Sequence, residues 1–413
     1  MVQKRSFRSR LTAFLNHRSA LRCDRPSDAK FFAAMSYLLL SLPIALVCAI
    51  WLGLRLRRKG RLDLVVLAVP GEFAQFVKHM ESLRRFANRP MTNEIVIPLS
   101  KWRHEPLSEL YADELGTRVI WGGGFSGLLQ QAMLVLPKGL VNIVRDDSRL
   151  KAHPYEFPTE PIAEPVEFAV HRGQLLSNLK LSGKPYVAMA VYTRAYDFER
   201  NPKYAEKSKS VESVGDELAP AIDFLESQEI GLILLGSSDT GLAKIPRPIL
   251  RLQDFTGLGG VEEVVLAAGC SYFWTDNVGA WWLGQPFQRP VLFSNMAAQG
   301  CRKGLMPQNH IVLPVRYQTL DGKLLTFREM YRMKNTSLYK AATRGEVRLI
   351  RNDPTSIINA HREMISRLSG TWREDEESAE FQRRYDELLL EFPRLHRLQI
   401  PSSFLRAHPE LLN

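Results

Sequence analysis

The residues best suited to chemistry stand where apolar runs end. Cys270-Ser271-Tyr272-Phe273-Trp274-Thr275 reads as a strand that stops at Asp276-Asn277-Val278-Gly279, and Ala280-Trp281-Trp282-Leu283 then resumes with helical character. A strand that gives way to a helix through such a turn leaves backbone N–H groups without intrahelical partners, and a phosphate can settle on them along the helix dipole. Asn277 can equally cap that helix, and Gly279 ease the turn. Arg194 follows a second apolar run, where its guanidinium could grip a diphosphate through two parallel hydrogen bonds; alone, it reads equally as a surface arginine. Glu72, just past a third run, is a candidate base or simply a carboxylate in the first turn of a helix. His104-Glu105 and Asp146-Asp147 are acid/base types without a readable partner. The glycines of residues 122–127 lack the full dinucleotide spacing and a following Lys-Ser/Thr pair, so they read as a tight turn.

These residues need a frame, and the apolar pattern supplies one. Leu64-Val65-Val66-Leu67-Ala68-Val69 has strand length, ends at Pro70-Gly71, and is followed by Phe73, Phe76, Val77, Met80 and Leu83 at helical spacing. Residues 94–97 and 118–121 read as further strands. A Pro-rich stretch, with Pro154, Pro158, Pro161 and Pro165, cannot hold a helix and marks a seam. Beyond it the pattern restarts: strands at 186–191, 230–235, 272–274 and 290–293, helical residues at 218–225 and 280–283, and a Lys/Ser-rich loop at 199–213. Strands alternating with helices predict parallel, doubly wound sheets, here two α/β domains facing a cleft with a ligand at the carboxyl ends of the strands.

Residues 31–54 carry no charge over 24 positions and are mostly Leu, Ala, Ile, Val and Phe. At 1.5 Å per residue a helix of that length covers about 30 Å of hydrocarbon. The long basic prelude and the Trp51-Leu52-Gly53-Leu54-Arg55 exit argue for a retained membrane segment rather than a cleaved signal peptide. Pro43, mid-run, permits either a kinked span or a hairpin. The formal charge of +11 resides here: residues 1–61 hold thirteen Lys/Arg against Asp24 and Asp28, leaving the remainder balanced. The basicity therefore suits anionic headgroups, and nucleic-acid binding loses its support. Cys23, Cys48, Cys270 and Cys301 form no C-x-x-C spacing and suggest neither zinc nor a disulfide framework.

Residues about 185–372 resemble a family of bacterial glycosyltransferases with a GT-B-like nucleotide-sugar domain. The resemblance is carried in order by residues 191–196, 219–225 before the strand ending at Gly236, Asp254-Phe255, 265–279, 290–295, 325–330, Asn352-Asp353-Pro354, Glu363-Met364, Gly370-Thr371-Trp372 and Ser403-Phe404-Leu405. It implies sugar transfer from a nucleotide-sugar donor to a glycan or lipid-linked acceptor, without an obligatory metal or other cofactor. It also implies a donor site including Arg194, Asp276, Asn277, Val278, Gly279, Asn295, Arg316 and Glu329, with Glu329 as a ribose or sugar contact. The base would come from the first domain, with Glu72 as candidate. The chain departs from the pattern at Ser210-Val211-Glu212 (Tyr-Arg-Asn in the family), Leu234 (Arg) and Val278 (Ser or Thr). A noncatalytic, membrane-tethered nucleotide-sugar-binding protein and a GT-B-fold epimerase are the alternatives. The expected layout is a basic tail (1–30), the membrane segment (31–54), an acceptor-side α/β domain (61–153), linker and helix (154–184), the donor domain (185–372) and a helical tail (373–413). Because bacterial nucleotide sugars are cytoplasmic, the resemblance implies an inner-membrane protein whose body faces the cytoplasm.

Overall fold

The computed structural model describes residues 63–67, 76–77, 80–81, 84, 94–98, 104–119, 160–191, 215–235, 250–251, 260–276, 279–298, 301, 309–333, 338, 341–342 and 344–413. The 31–54 segment lies outside them, and among the described residues no helix is long and apolar enough to cross a membrane.

Strands β1 (Asp63–Leu67), β2 (Glu94–Pro98) and β3 (Arg118–Val119) form a parallel sheet in that order. Phe76, Val77 and Met80 are helical and fully buried, as their spacing predicts. Helix α1 (Glu105–Leu115) starts at His104, whose Nδ1 accepts from Leu107 N at 3.4 Å, and ends on Gly116 at φ 60°, a left-handed turn that glycine adopts without a Cβ clash.

After α2 (Val166–Asn178) comes the larger sheet: β4 (Tyr186–Ala190), α3 (Gly215–Ser227), β5 (Gly231–Leu234), β6 (Leu250–Arg251), α4 (Val261–Gly269), β7 (Tyr272–Thr275), β8 (Val291–Met296) and β9 (His310–Pro314). All its strands are parallel, in the order β6-β5-β4-β7-β8-β9. Counted within the sheet this is 3-2-1-4-5-6, the doubly wound order of dinucleotide-binding folds. Every residue of β4, β7 and β9 is buried, because a parallel sheet is covered on both faces and its strands must be apolar throughout.

An antiparallel pair, β10 (Arg316–Thr319) and β11 (Val347–Ile350), follows with α5 (Phe327–Arg332) between its strands. Then come α6 (Pro354–Leu368), α7 (Glu376–Leu389) and α8 (Ser402–Ala407). Helix α6 packs on α3 and over β8 and β9. It delivers His361 to Tyr272, whose hydroxyl lies 2.8 Å from Nδ1, and to the Trp274 ring, met edge-on at 4.4 Å. Burial drives the His361 pKa down to about 3, so the ring is neutral. Residues 373–413 are built into this domain: Val312 N donates to Gln399 O at 2.9 Å along the free side of β9, and Glu363 on α6 accepts from Ser402 N at 2.9 Å.

The two sheets meet where α1 packs on α4, with His104 Nε2 3.7 Å from Glu263 Oε2. Arg84 bridges from the first domain to Glu160 O at 3.2 Å. It also pairs with Glu81, a carboxylate only 1% exposed that accepts from Tyr111 OH at 2.6 Å.

Candidate functional site

In the 3-2-1-4-5-6 order the strand order reverses between β4 and β7, and the carboxyl ends of the strands at such a switch point are where doubly wound sheets bind ligands. Chain entry points converge there. Asp276 directly follows β7, Asn295 lies near the end of β8, and Arg316 follows β9 by one residue. Arg351, Asn352 and Asp353 lead into α6, and Glu217 sits in the first turn of α3.

Asp276 is 2% exposed and held from two sides. Trp274 Nε1 donates to Ser294 Oγ at 2.9 Å, and Ser294 Oγ donates to Asp276 Oδ1 at 2.5 Å. Arg351 Nη2 approaches Oδ2 at 3.4 Å, while Arg351 Nε donates to Glu217 Oε2 at 2.6 Å. Burial raises the Glu217 pKa, and the opposing pull of Arg351 does not cancel that rise. Burial also works against the charge of Arg351, but Asp276 and Glu217 outweigh it and hold the guanidinium above its ordinary range. Among the described residues one arginine faces two carboxylates here, a cluster rich in acceptors and suited to hydroxyl groups more than to phosphate.

Next to this cluster lies a neutral one. Asn295 adopts φ 63°, left-handed, at a register shift between β8 and β9, a conformation asparagine tolerates better than most residues. Its Oδ1 accepts from Asn352 N at 2.7 Å and Asn352 Nδ2 at 3.1 Å, and Asn352 Nδ2 also reaches Pro314 O at 3.0 Å. Arg316 donates to Arg351 O at 3.3 Å and lies 2.8 Å from His408 Nε2. Asn295 Nδ2, Asn352 Oδ1 and Arg316 Nε are buried and have no hydrogen-bond partner among the described residues.

The structure thus gathers three of the sequence-predicted residues, Asp276, Asn295 and Arg316, on one edge. Glu72, Arg194, Asn277 and Val278 lie outside the described residues. Gly279 opens a five-residue 3-10 helix (Gly279–Leu283), shorter and tighter than the helix the sequence suggests. Pro286, just beyond Gly284, lacks the N–H that a continuing α-helix would need. Glu329 is occupied locally. Its Oε2 accepts from Thr326 N at 2.8 Å, Thr326 Oγ1 accepts from Glu329 N, and Lys323 pairs with Oε1 at 2.7 Å, a capping box that engages the carboxylate expected to meet a ribose. His104, an acid/base candidate, is the cap of α1. Glu217, Arg351, Asn352 and His408 were not legible as site residues: Arg351 stands 134 positions from Glu217 and 75 from Asp276, and no local pattern couples them. Among the described residues no group of three His, Cys, Asp or Glu side chains is placed to hold a metal ion.

No family model and no curated protein matches the chain. Among solved structures, similar chains include E. coli ADP-heptose LPS heptosyltransferase II, at 13% identity and TM-score 0.41, covering 69% of this chain and 99% of that one. A glycosyl transferase family 9 protein from Veillonella parvula DSM 2008 is similar at 11% identity and TM-score 0.39, covering 68% and 96%. The heptosyltransferase TibC, solved with ADP-D-beta-D-heptose, is similar at 13% identity and TM-score 0.37, covering 75% and 78%. Likeness of that degree leaves function to be read from the chain's own residues.

Proposed function

We propose that this chain is a membrane-anchored glycosyltransferase that moves a sugar from a nucleotide-sugar donor to a glycan or lipid-linked acceptor in cell-surface assembly, with its body on the cytoplasmic face of the inner membrane. The observation that carries the reading is the switch point between β4 and β7, where the strand order reverses and Asp276, Glu217 and Arg351 converge. Sugar or ribose hydroxyls would donate to the carboxylates. Arg316, and Arg194 after β4, would stabilise charge on the leaving diphosphate, a role in which fixed arginines can stand where other enzymes use a metal. The acceptor and its base would come from the first domain, with Glu72 the candidate.

Calorimetry of the full chain in detergent with UDP-, GDP-, CMP- and ADP-sugars tests this; the panel includes the ADP-heptose named for the TibC structure. Binding of one donor, followed by its consumption when membrane glycolipids are supplied, is expected. No binding across the panel would remove the proposal. A noncatalytic donor-binding protein is the second reading, favoured by Leu234, which is buried at the end of β5 at the position of the family's arginine. It requires binding without consumption. An epimerase would change the donor without any acceptor.

A further inference from the structure

Arg316 is a half-buried cation with no carboxylate oxygen within ion-pair distance among the described residues. Buried charges ordinarily have a partner of opposite sign. Its neighbours are instead neutral acceptors, His408 Nε2 at 2.8 Å and Arg351 O at 3.3 Å, and its Nε is buried without a partner. Arginine has only donors, so His408 Nε2 must accept and the proton of the imidazole must sit on Nδ1. Nδ1 faces Glu410 Oε1 at 3.4 Å, which selects that tautomer. Burial, and then Arg316 itself, lower the His408 pKa, consistent with a neutral ring. The other charged groups facing the pair are Asp353 at the start of α6 and Arg351. Two other buried amide atoms, Asn295 Nδ2 and Asn352 Oδ1, also lack a hydrogen-bond partner among the described residues. An unsatisfied buried donor such as Arg316 Nε calls for a missing partner.

We propose that Glu410 and His408 are positioning residues that aim Arg316 at the phosphate or diphosphate group of a donor, so that Arg316 forms a pre-set anion subsite. As a refinement of the donor site, this rests on the nucleotide-sugar reading given above. Glu410 fixes the tautomer, His408 accepts from one guanidinium nitrogen, and the Arg351 carbonyl holds the other, so the remaining N–H groups are directed before any anion arrives.

Isothermal titration of the full chain with inorganic pyrophosphate, a probe without nucleoside or sugar, tests the subsite. Arg316→Gln should weaken pyrophosphate binding by about 10–100-fold, the range of a charge-assisted contact. His408→Phe should weaken it by about 10-fold, and His408→Gln, whose amide oxygen can still accept, should restore it to within about threefold. Because Phe404 packs on the His408 ring at 4.9 Å, the phenylalanine variant can fail to fold. The 15N resonance of His408 Nε2 in the unsubstituted chain then decides: it should be that of an unprotonated nitrogen and shift on adding pyrophosphate. Absence of pyrophosphate binding, equal binding by Arg316→Gln, equal losses in both His408 variants, or a protonated Nε2 would each overturn the proposal. If nucleotide sugars bind but pyrophosphate binding ignores Arg316 and His408, this subsite falls and the glycosyltransferase reading stands. If pyrophosphate binds through Arg316 but no nucleotide sugar binds, the reverse holds.

Discussion

Arg351 is the only described cation within ion-pair distance of Asp276, and it also holds Glu217. Removing one member of a buried ion pair leaves the other charged and desolvated, so Arg351→Met should lower unfolding free energy by about 3–5 kcal/mol in urea denaturation. Asp276→Asn should cost less, since the amide can still accept from Ser294. Asp276 was legible because it closes an apolar strand, whereas Arg351 stands in a polar stretch with nothing local to mark it. Glu81 permits a pH prediction. Burial lifts its pKa to about 7 from 4.5, against the pull of Arg84 and the Tyr111 hydrogen bond, with Glu114 adding to the rise. The folded chain therefore holds this proton more tightly than the unfolded chain. The associated stability is complete below about pH 4.5, shrinks as pH rises, and is gone above about 7, a span of about 3 kcal/mol. Glu81→Gln should flatten that slope relative to the parent chain between pH 4.5 and 7. His361 runs the other way: its pKa falls in the folded state, so its contribution is present above about 6.5 and lost toward 3. Comparing Glu81→Gln with the parent cancels the His361 term.

At the scale of elements, the capping box of α5 gives Glu329 its place. Thr326→Ala should cost about 1 kcal/mol, the ordinary worth of an N-cap, by thermal or urea melting. Glu329→Gln, which can still accept from Thr326 N, should leave nucleotide-sugar affinity unchanged; a large loss would return Glu329 to the donor site. The strands of the larger sheet were legible because buried parallel strands are nearly continuous apolar runs. The sequence expectation for 186–191 corresponds to β4, that for 230–235 to β5, and that for 272–274 to β7, each to within a residue or so at either end. The run at 290–293 is longer as built, Val291–Met296, because the polar Ser294 and Asn295 continue the strand in order to reach Asp276 and Asn352. β9 and the β10–β11 pair were missed. In β9 the His310 and Pro314 ends mask a short apolar centre, and β10 pairs with a strand about 30 residues later, a partner local reading does not supply.

For the whole molecule, the sequence showed two parallel α/β units but not how residues 373–413 serve the second. Leu398, Ile400, Phe404, Leu405 and Leu411 are all buried. Ending the chain after Leu390 would remove them, expose the apolar surface they cover and break the backbone bond to Val312, so the shortened protein should be recovered chiefly as aggregate, whereas His104→Ala at the α1–α4 contact should remain soluble. Recovery of the shortened chain in monomeric form by size-exclusion chromatography would show that the segment is dispensable for folding.

The bond between Val312 and Gln399 also sets a clock. During synthesis β9 leaves the ribosome roughly 90 residues ahead of the segment that covers it, a wait of about 5–20 s at about 5–20 residues per second. Throughout that interval the nascent chain carries open amide and carbonyl groups on a strand with an apolar centre, Ile311 to Leu313, a surface that chaperones bind and that neighbouring nascent chains on one messenger can pair with. Slow codons between positions 315 and 395 would lengthen the exposure without changing a single residue, so the yield of folded protein should respond to synonymous recoding of that stretch.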